Sequence, residues 1–100
     1  VVGDRDITVE QVAVCSGSGG GLLPQFLASR AQVFVTGDIK YHQAREIELA
    51  GKALIDIGHF ASEHIFIDPL VERLRSLLPA GEQGCQIEAC LMENDPFGIL

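Results

Sequence analysis

Three short apolar runs, each closed by glycine or a polar turn and each followed by a helix-like stretch, constrain the fold of this chain most. Val12 to Cys15 runs into Ser16-Gly17-Ser18-Gly19-Gly20-Gly21 and then Leu22 to Leu27, where Pro24 suits a first helical turn because its missing N–H would have no partner there. Gln32 to Thr36 has the β-branched content of a buried strand and closes on Gly37-Asp38; Ile39 to Ala50 then reads as a helix with Gly51 at its C-terminal cap. Ala53 to Ile57 is the third run. It leads into a long pattern in which Ile67, Leu70, Val71, Leu74, Leu77 and Leu78 recur at helical steps, with Pro69 implying a kink or a new helix near Asp68 and Pro79-Ala80-Gly81 a stop. Gln86 to Met92 reads as a last strand, before a turn at Asn94-Asp95-Pro96. Alternating strands and helices predict an α/β fold with helices packed on a mostly parallel sheet, because βαβ crossovers return the chain in the same direction.

One hundred residues suit a single domain, 1–100, burying about 65% of the surface its unfolded chain exposes. Fourteen acidic against seven basic residues give a net charge of −7, which repels nucleic acid and anionic membranes and attracts small cations. The apolar share is 47%, yet no run is long enough to span a bilayer, so part of the apolar surface is expected between subunits; the chain reads as cytosolic. Three cysteines fit reduced thiols better than a disulfide framework. Cys15 reads as a small core residue. Cys85 and Cys90, five apart in a presumed strand, would point to opposite faces and make a poor chelate.

In parallel sheets, binding groups gather at the carboxyl ends of strands. Here those ends carry Ser16 and Ser18, then Asp38 with Lys40, Tyr41 and His42, then His59 and Glu63. His59 and Glu63 are four residues apart, so a helix starting at Gly58 or His59 sets imidazole and carboxylate on one face, half of a site for a divalent ion such as Zn²⁺, Fe²⁺ or Mn²⁺. The same pair could merely be solvated at a helix start. The glycine-rich loop could bring backbone N–H groups to an anion or be a tight turn, and it lacks the Lys-Ser/Thr pair of a P-loop. Asp38 could be an N-cap, which leaves Tyr41 and His42 unexplained.

Four motifs in order, Val12-Ala13-Val14-Cys15-Ser16-Gly17-Ser18-Gly19, Val35-Thr36-Gly37-Asp38-Ile39-Lys40-Tyr41-His42, Asp56-Ile57-Gly58-His59-Phe60-Ala61-Ser62-Glu63 and Glu93-Asn94-Asp95-Pro96-Phe97, make the chain resemble the NIF-three-like dinuclear metal-centre proteins, often labelled GTP cyclohydrolase I type 2 homologues. The resemblance extends over nearly the whole chain. It implies the C-terminal lobe of a larger two-lobed protein, cut at its N-terminal end, and a ring-like hexamer with metal pairs facing a cavity. By the same resemblance His59 and Glu63 are metal ligands, and the remaining ligands of the two divalent ions, Zn or Fe, belong to an N-terminal lobe with no counterpart in this sequence. Asp38 and His42 are then candidate proton-transfer or substrate groups in a metal-dependent hydrolase acting on a nucleotide such as GTP. A non-catalytic metal-binding or regulatory interaction protein is the other reading. On either, this lobe alone is expected to bind metal weakly and to be inactive.

Overall fold

The computed structural model describes residues 1–78 and 85–98. Its element order is β1 (Val12–Ser18), α1 (Leu23–Ala28), β2 (Val33–Gly37), α2 (Tyr41–Leu49), β3 (Ala53–Asp56), α3 (His59–His64) and α4 (Ile67–Leu77), with a 3₁₀ turn over Gly19–Leu22. The three strands form one parallel sheet in the order β1-β2-β3, with Val35 between Val14 and Ile55 in the register. This is the expected α/β arrangement, and it brings the three strand ends to one edge.

The core forms where the strands' apolar faces meet α1 and α2. Phe34 and Leu54 pack with Leu23 and Phe26 of α1 and with Ile47 of α2, and the Phe26 and Phe34 rings stack with centroids 4.9 Å apart. Lys52 closes the end of α1: its Nζ donates to the carbonyls of Ser29 at 2.9 Å and Ala31 at 2.7 Å and lies 4.8 Å from the Phe26 ring centre. Those carbonyls would otherwise lack partners past the last turn. Cys15 is half-buried against this cluster, as a small core residue would be.

Helix boundaries follow their local chemistry. Gly51 has φ of +68°, and the N–H groups of Gly51 and Lys52 donate to the carbonyls of Glu48 and Ile47, the double closure that a left-handed residue permits. Pro69 lies in the first turn of α4, where no intrahelical bond is lost, so the long pattern breaks into α3 and α4 instead of kinking. Helix α2 starts later than Ile39. Its N-cap is Lys40, whose N–H donates to Gln43 Oε1 at 3.1 Å, and Asp38 is therefore not the cap.

The last strand is absent. Residues 85–92 carry no ladder: no strand of the sheet pairs with them, most of them are exposed, and Arg75 donates to the Ile87 carbonyl at 2.6 Å. Cys85 and Cys90, which that strand would have set on opposite faces, are both exposed free thiols. The stop at Pro79-Ala80-Gly81 lies outside the described residues. No helix among the described residues is long and apolar enough to cross a membrane. Helix α4 buries none of its side chains there, and Leu70 and Leu74 of its apolar stripe stay exposed.

Candidate metal-ligand site

The site is built on β1, the loop after β2 and the start of α3. Gly58, with φ of +79°, turns the chain out of β3, and His59 opens α3. His59 and Glu63 then stand one turn apart, with Nε2 and Oε1 separated by 3.3 Å. On the other side of the ring, Nδ1 lies 2.7 Å from Oδ2 of Asp38. Thus Asp38, His59 and Glu63 come together from two strand ends, all at least partly exposed to solvent. His42 does not join them. It sits exposed in the first turn of α2 and does not line the cavity described below.

The support beneath the three groups uses residues that the sequence reading left without a role. Asp38 has φ of +56°, a conformation that Asp tolerates better than most side chains. It is held by Asp56, whose two carboxylate oxygens accept the N–H of Ile39 at 3.1 Å and of Gly58 at 3.0 Å, tying the two loops together. Buried Ser62 accepts the Gly17 N–H at 2.7 Å and donates to the His59 carbonyl at 2.7 Å. Thr36, fully buried, donates to the Gly17 carbonyl at 3.3 Å. Two sequence signals pointed there: a hydroxyl inside an apolar strand, and a serine one turn from His59 on the inward face of α3.

Two glycines lie close against the site, Gly17 against its side chains and Gly37 against its backbone. A Cβ on Gly17 would fall inside contact distance of Glu63 Oε1 and 3.2 Å from His59 Nε2; one on Gly37 would lie 2.6 Å from the carbonyl carbon of Gly58 and 2.7 Å from the His59 nitrogen. A Cβ on Gly19 would meet Thr36 and Phe34, so that part of the glycine-rich loop serves packing. Gly17→Ala is expected to cost about 1 kcal/mol through its φ of +66° and to push the Glu63 carboxylate away from His59. Thermal unfolding measures the first effect, and a lower midpoint in an NMR titration of the His59 imidazole measures the second.

The proton on His59 is favoured by its neighbours. The hydrogen bond to Asp38 contributes most, and with Glu63 it outweighs desolvation, raising the pKa above 6.5. In the metal-free protein this adds stability that is fully present below 6.5 and fades as pH rises through the folded-state value. An NMR titration of the imidazole is expected to show a midpoint above 6.5 that falls in Asp38→Asn; an unchanged midpoint would show that the Asp38 contact does not form in solution.

The residues fit part of a divalent-ion site. Two donors each about 2.0–2.1 Å from Zn²⁺ at a tetrahedral angle lie about 3.4 Å apart. The Nε2 to Oε1 separation of 3.3 Å matches that edge, and a carboxylate on Nδ1 is the usual way a ligating imidazole is oriented. Two donors do not complete a sphere. Among the described residues, no three His, Cys, Asp or Glu side chains converge to hold a metal ion. Beside the pair opens a cavity of about 740 Å³, lined by Asp38, His59 and Glu63 and also by Glu93, Asp95 and Phe97 of the C-terminal stretch.

Comparison with known proteins gives one consistent result. A GTP cyclohydrolase 1 type 2 homolog of Lactococcus lactis subsp. lactis is 36% identical over 94% of this chain, which spans 35% of that protein. For the Mycobacterium tuberculosis homolog the identity is 38% over 97% of this chain and 25% of the relative. The crystal structure of a Staphylococcus aureus protein superposes with a TM-score of 0.84 at 34% identity, covering 99% of this chain and 32% of the other. A Bacillus cereus protein related to NIF3 superposes with a TM-score of 0.83 at 31% identity, covering 99% and 27%. The chain therefore spans about a quarter to a third of the length of these relatives. The family model described as Duf34/NIF3 (NGG1p interacting factor 3) matches residues 1–96, and the chain belongs to that family.

Proposed function

We propose that His59 and Glu63 are two ligands of a divalent metal site completed by groups from a further lobe or a second copy, and that the intact protein is a metal-dependent hydrolase. The observation that carries this reading is the 3.3 Å spacing of His59 Nε2 and Glu63 Oε1, with Asp38 on Nδ1. A bound Zn²⁺ or Fe²⁺ would supply Lewis-acid activation of water at neutral pH. Asp38 fixes the ring so that Nε2 presents its lone pair when the other nitrogen holds the proton, and it can accept or return a proton at Nδ1. Glu63 supplies negative charge beside Nε2. The relatives' description as GTP cyclohydrolase 1 type 2 homologs makes a purine nucleotide the first substrate to assay. His42, exposed on α2, would act only if another lobe or copy brought it to the same cavity.

The test is metal content after dialysis against a modest excess of Zn²⁺, for the chain and its His59→Ala variant, followed by a GTP turnover assay on the intact parent protein. Metal retained by the first and lost by the second supports the ligand assignment. Metal retained equally by both refutes it, whereas metal retained by neither is what half of a site completed by another lobe gives. Retained metal with no turnover of any nucleotide favours the non-catalytic metal-binding reading.

A further inference from the structure

Residues 86–92 have the pattern of a strand and no partner strand. Ile87, Ala89 and Leu91 alternate with Gln86, Glu88 and Cys90, the period of two that sets an apolar face against a polar one. Ile87 and Ala89 are half-buried while Gln86, Glu88 and Cys90 are exposed, and residues 85–95 contain no helix, turn or bend. Among the described residues, no peptide N–H of 86–92 donates to another group, and the one carbonyl with a donor is that of Ile87, held by Arg75 Nε at 3.1 Å and Nη2 at 2.6 Å. The apolar end of the stretch is uncovered, with Leu91 65% and Met92 87% exposed. Helix α4, to which Arg75 ties it, leaves Leu70, Leu74 and Leu77 exposed as well. Alternating side chains with free peptide groups are what one side of a ladder presents before its neighbour is in place.

The sheet of this chain narrows where that neighbour lies. The outer side of β3 is taken by Val2, which exchanges backbone hydrogen bonds of 2.9 and 3.0 Å with Leu54. The open edge is β1, and 86–92 does not take it although one chain carries both. A second copy offers only that same edge, and without the advantage of a tether. The solved relatives have far more chain to draw on, since this chain covers only 32% and 27% of theirs.

We infer that residues 86–92 are a strand of a sheet belonging to the further lobe of the intact protein, added to an edge of that sheet through their own peptide groups. The stretch leads directly into Glu93, Asp95 and Phe97 at the cavity, so the same pairing ties that part of the cavity lining to the other lobe. The inference rests on the further lobe invoked in the proposed function but on no metal. Its test is run in EDTA, so that strand pairing here and metal retention in the dialysis experiment fail independently.

Residue-resolved hydrogen exchange of the chain and of the intact parent decides the matter. In the chain, the amides of 86–92 are expected to exchange at unprotected rates at every protein concentration; in the parent, at least alternate ones should slow by about a hundredfold or more. One of the parent variants Glu88→Pro and Ala89→Pro, the one whose lost N–H faces the new edge, should abolish that protection while the amides of β2 keep theirs. Neither residue belongs to the core around Phe34, so folding of this lobe is not at stake. Unprotected amides in the parent, or protection that survives both proline variants, would overturn the inference. Protection in the chain alone would overturn it too, assigning the partner edge to a second copy if it grows with concentration and to β1 if it does not.

Discussion

Phe34→Ala is expected to destabilise the domain by about 3–5 kcal/mol, the loss typical of a fully buried aromatic side chain. Phe34 is 2% exposed, stacks on Phe26, and lies in the middle strand of a three-stranded sheet, so the void it leaves is bordered by α1, α2 and both neighbouring strands. Those elements cannot close on it without breaking the register that fixes the strand ends. A domain of this size has only about 5–15 kcal/mol of total stability, and the variant should melt roughly 12 °C or more below the parent. A melting temperature within a few degrees of the parent would show that helix packing on β2 is not the core of the fold.

Gly37→Ala is expected to damage the site more than any other substitution outside its three polar groups. The added Cβ meets backbone atoms of Gly58 and His59 at 2.6 and 2.7 Å, and backbone, unlike a flexible side chain, cannot swing aside. The loop carrying Asp38 must then separate from the start of α3. That movement breaks the Asp38 to His59 hydrogen bond and the bridge that Asp56 makes between Ile39 and Gly58. Forced overpacking of this kind costs about 1–3 kcal/mol, and the disordered orientation of His59 should weaken metal affinity by about 10- to 100-fold. The His59 imidazole pKa, raised by Asp38, should fall toward its ordinary value in the same variant. A variant with unchanged affinity and pKa would mean that the two loops are not in contact.

The parts of this arrangement visible in the sequence are those with a period. Three apolar runs with helices between them fix a parallel sheet, and the four-residue step from His59 to Glu63 places both on one face of α3, as observed. The final strand expected at Gln86 to Met92 does not form, since no strand of the sheet pairs with it, and the Ile87 carbonyl accepts from Arg75 instead. Asp38 was readable as a candidate group at the same sheet edge as His59 but not as its hydrogen-bond partner, since that contact joins residues 21 apart through the register of β2 and β3. Ser62, Thr36 and Asp56 act through backbone groups, so an inward hydroxyl hints at a partner in the sequence but does not name it. Glu93, Asp95 and Phe97 carry a motif in the sequence, but only the fold brings them to the cavity that His59 lines.

The most direct test of the ligand assignment is a Zn²⁺ titration followed by nitrogen NMR of the His59 side chain in the chain and in Glu63→Gln. Asp38 occupies Nδ1, so a saturable shift should appear at Nε2, with Nδ1 keeping its proton, and the affinity should drop in the variant. Binding through Nδ1, or an imidazole undisturbed by millimolar Zn²⁺, would contradict the assignment of His59 and Glu63 as a metal-ligand pair.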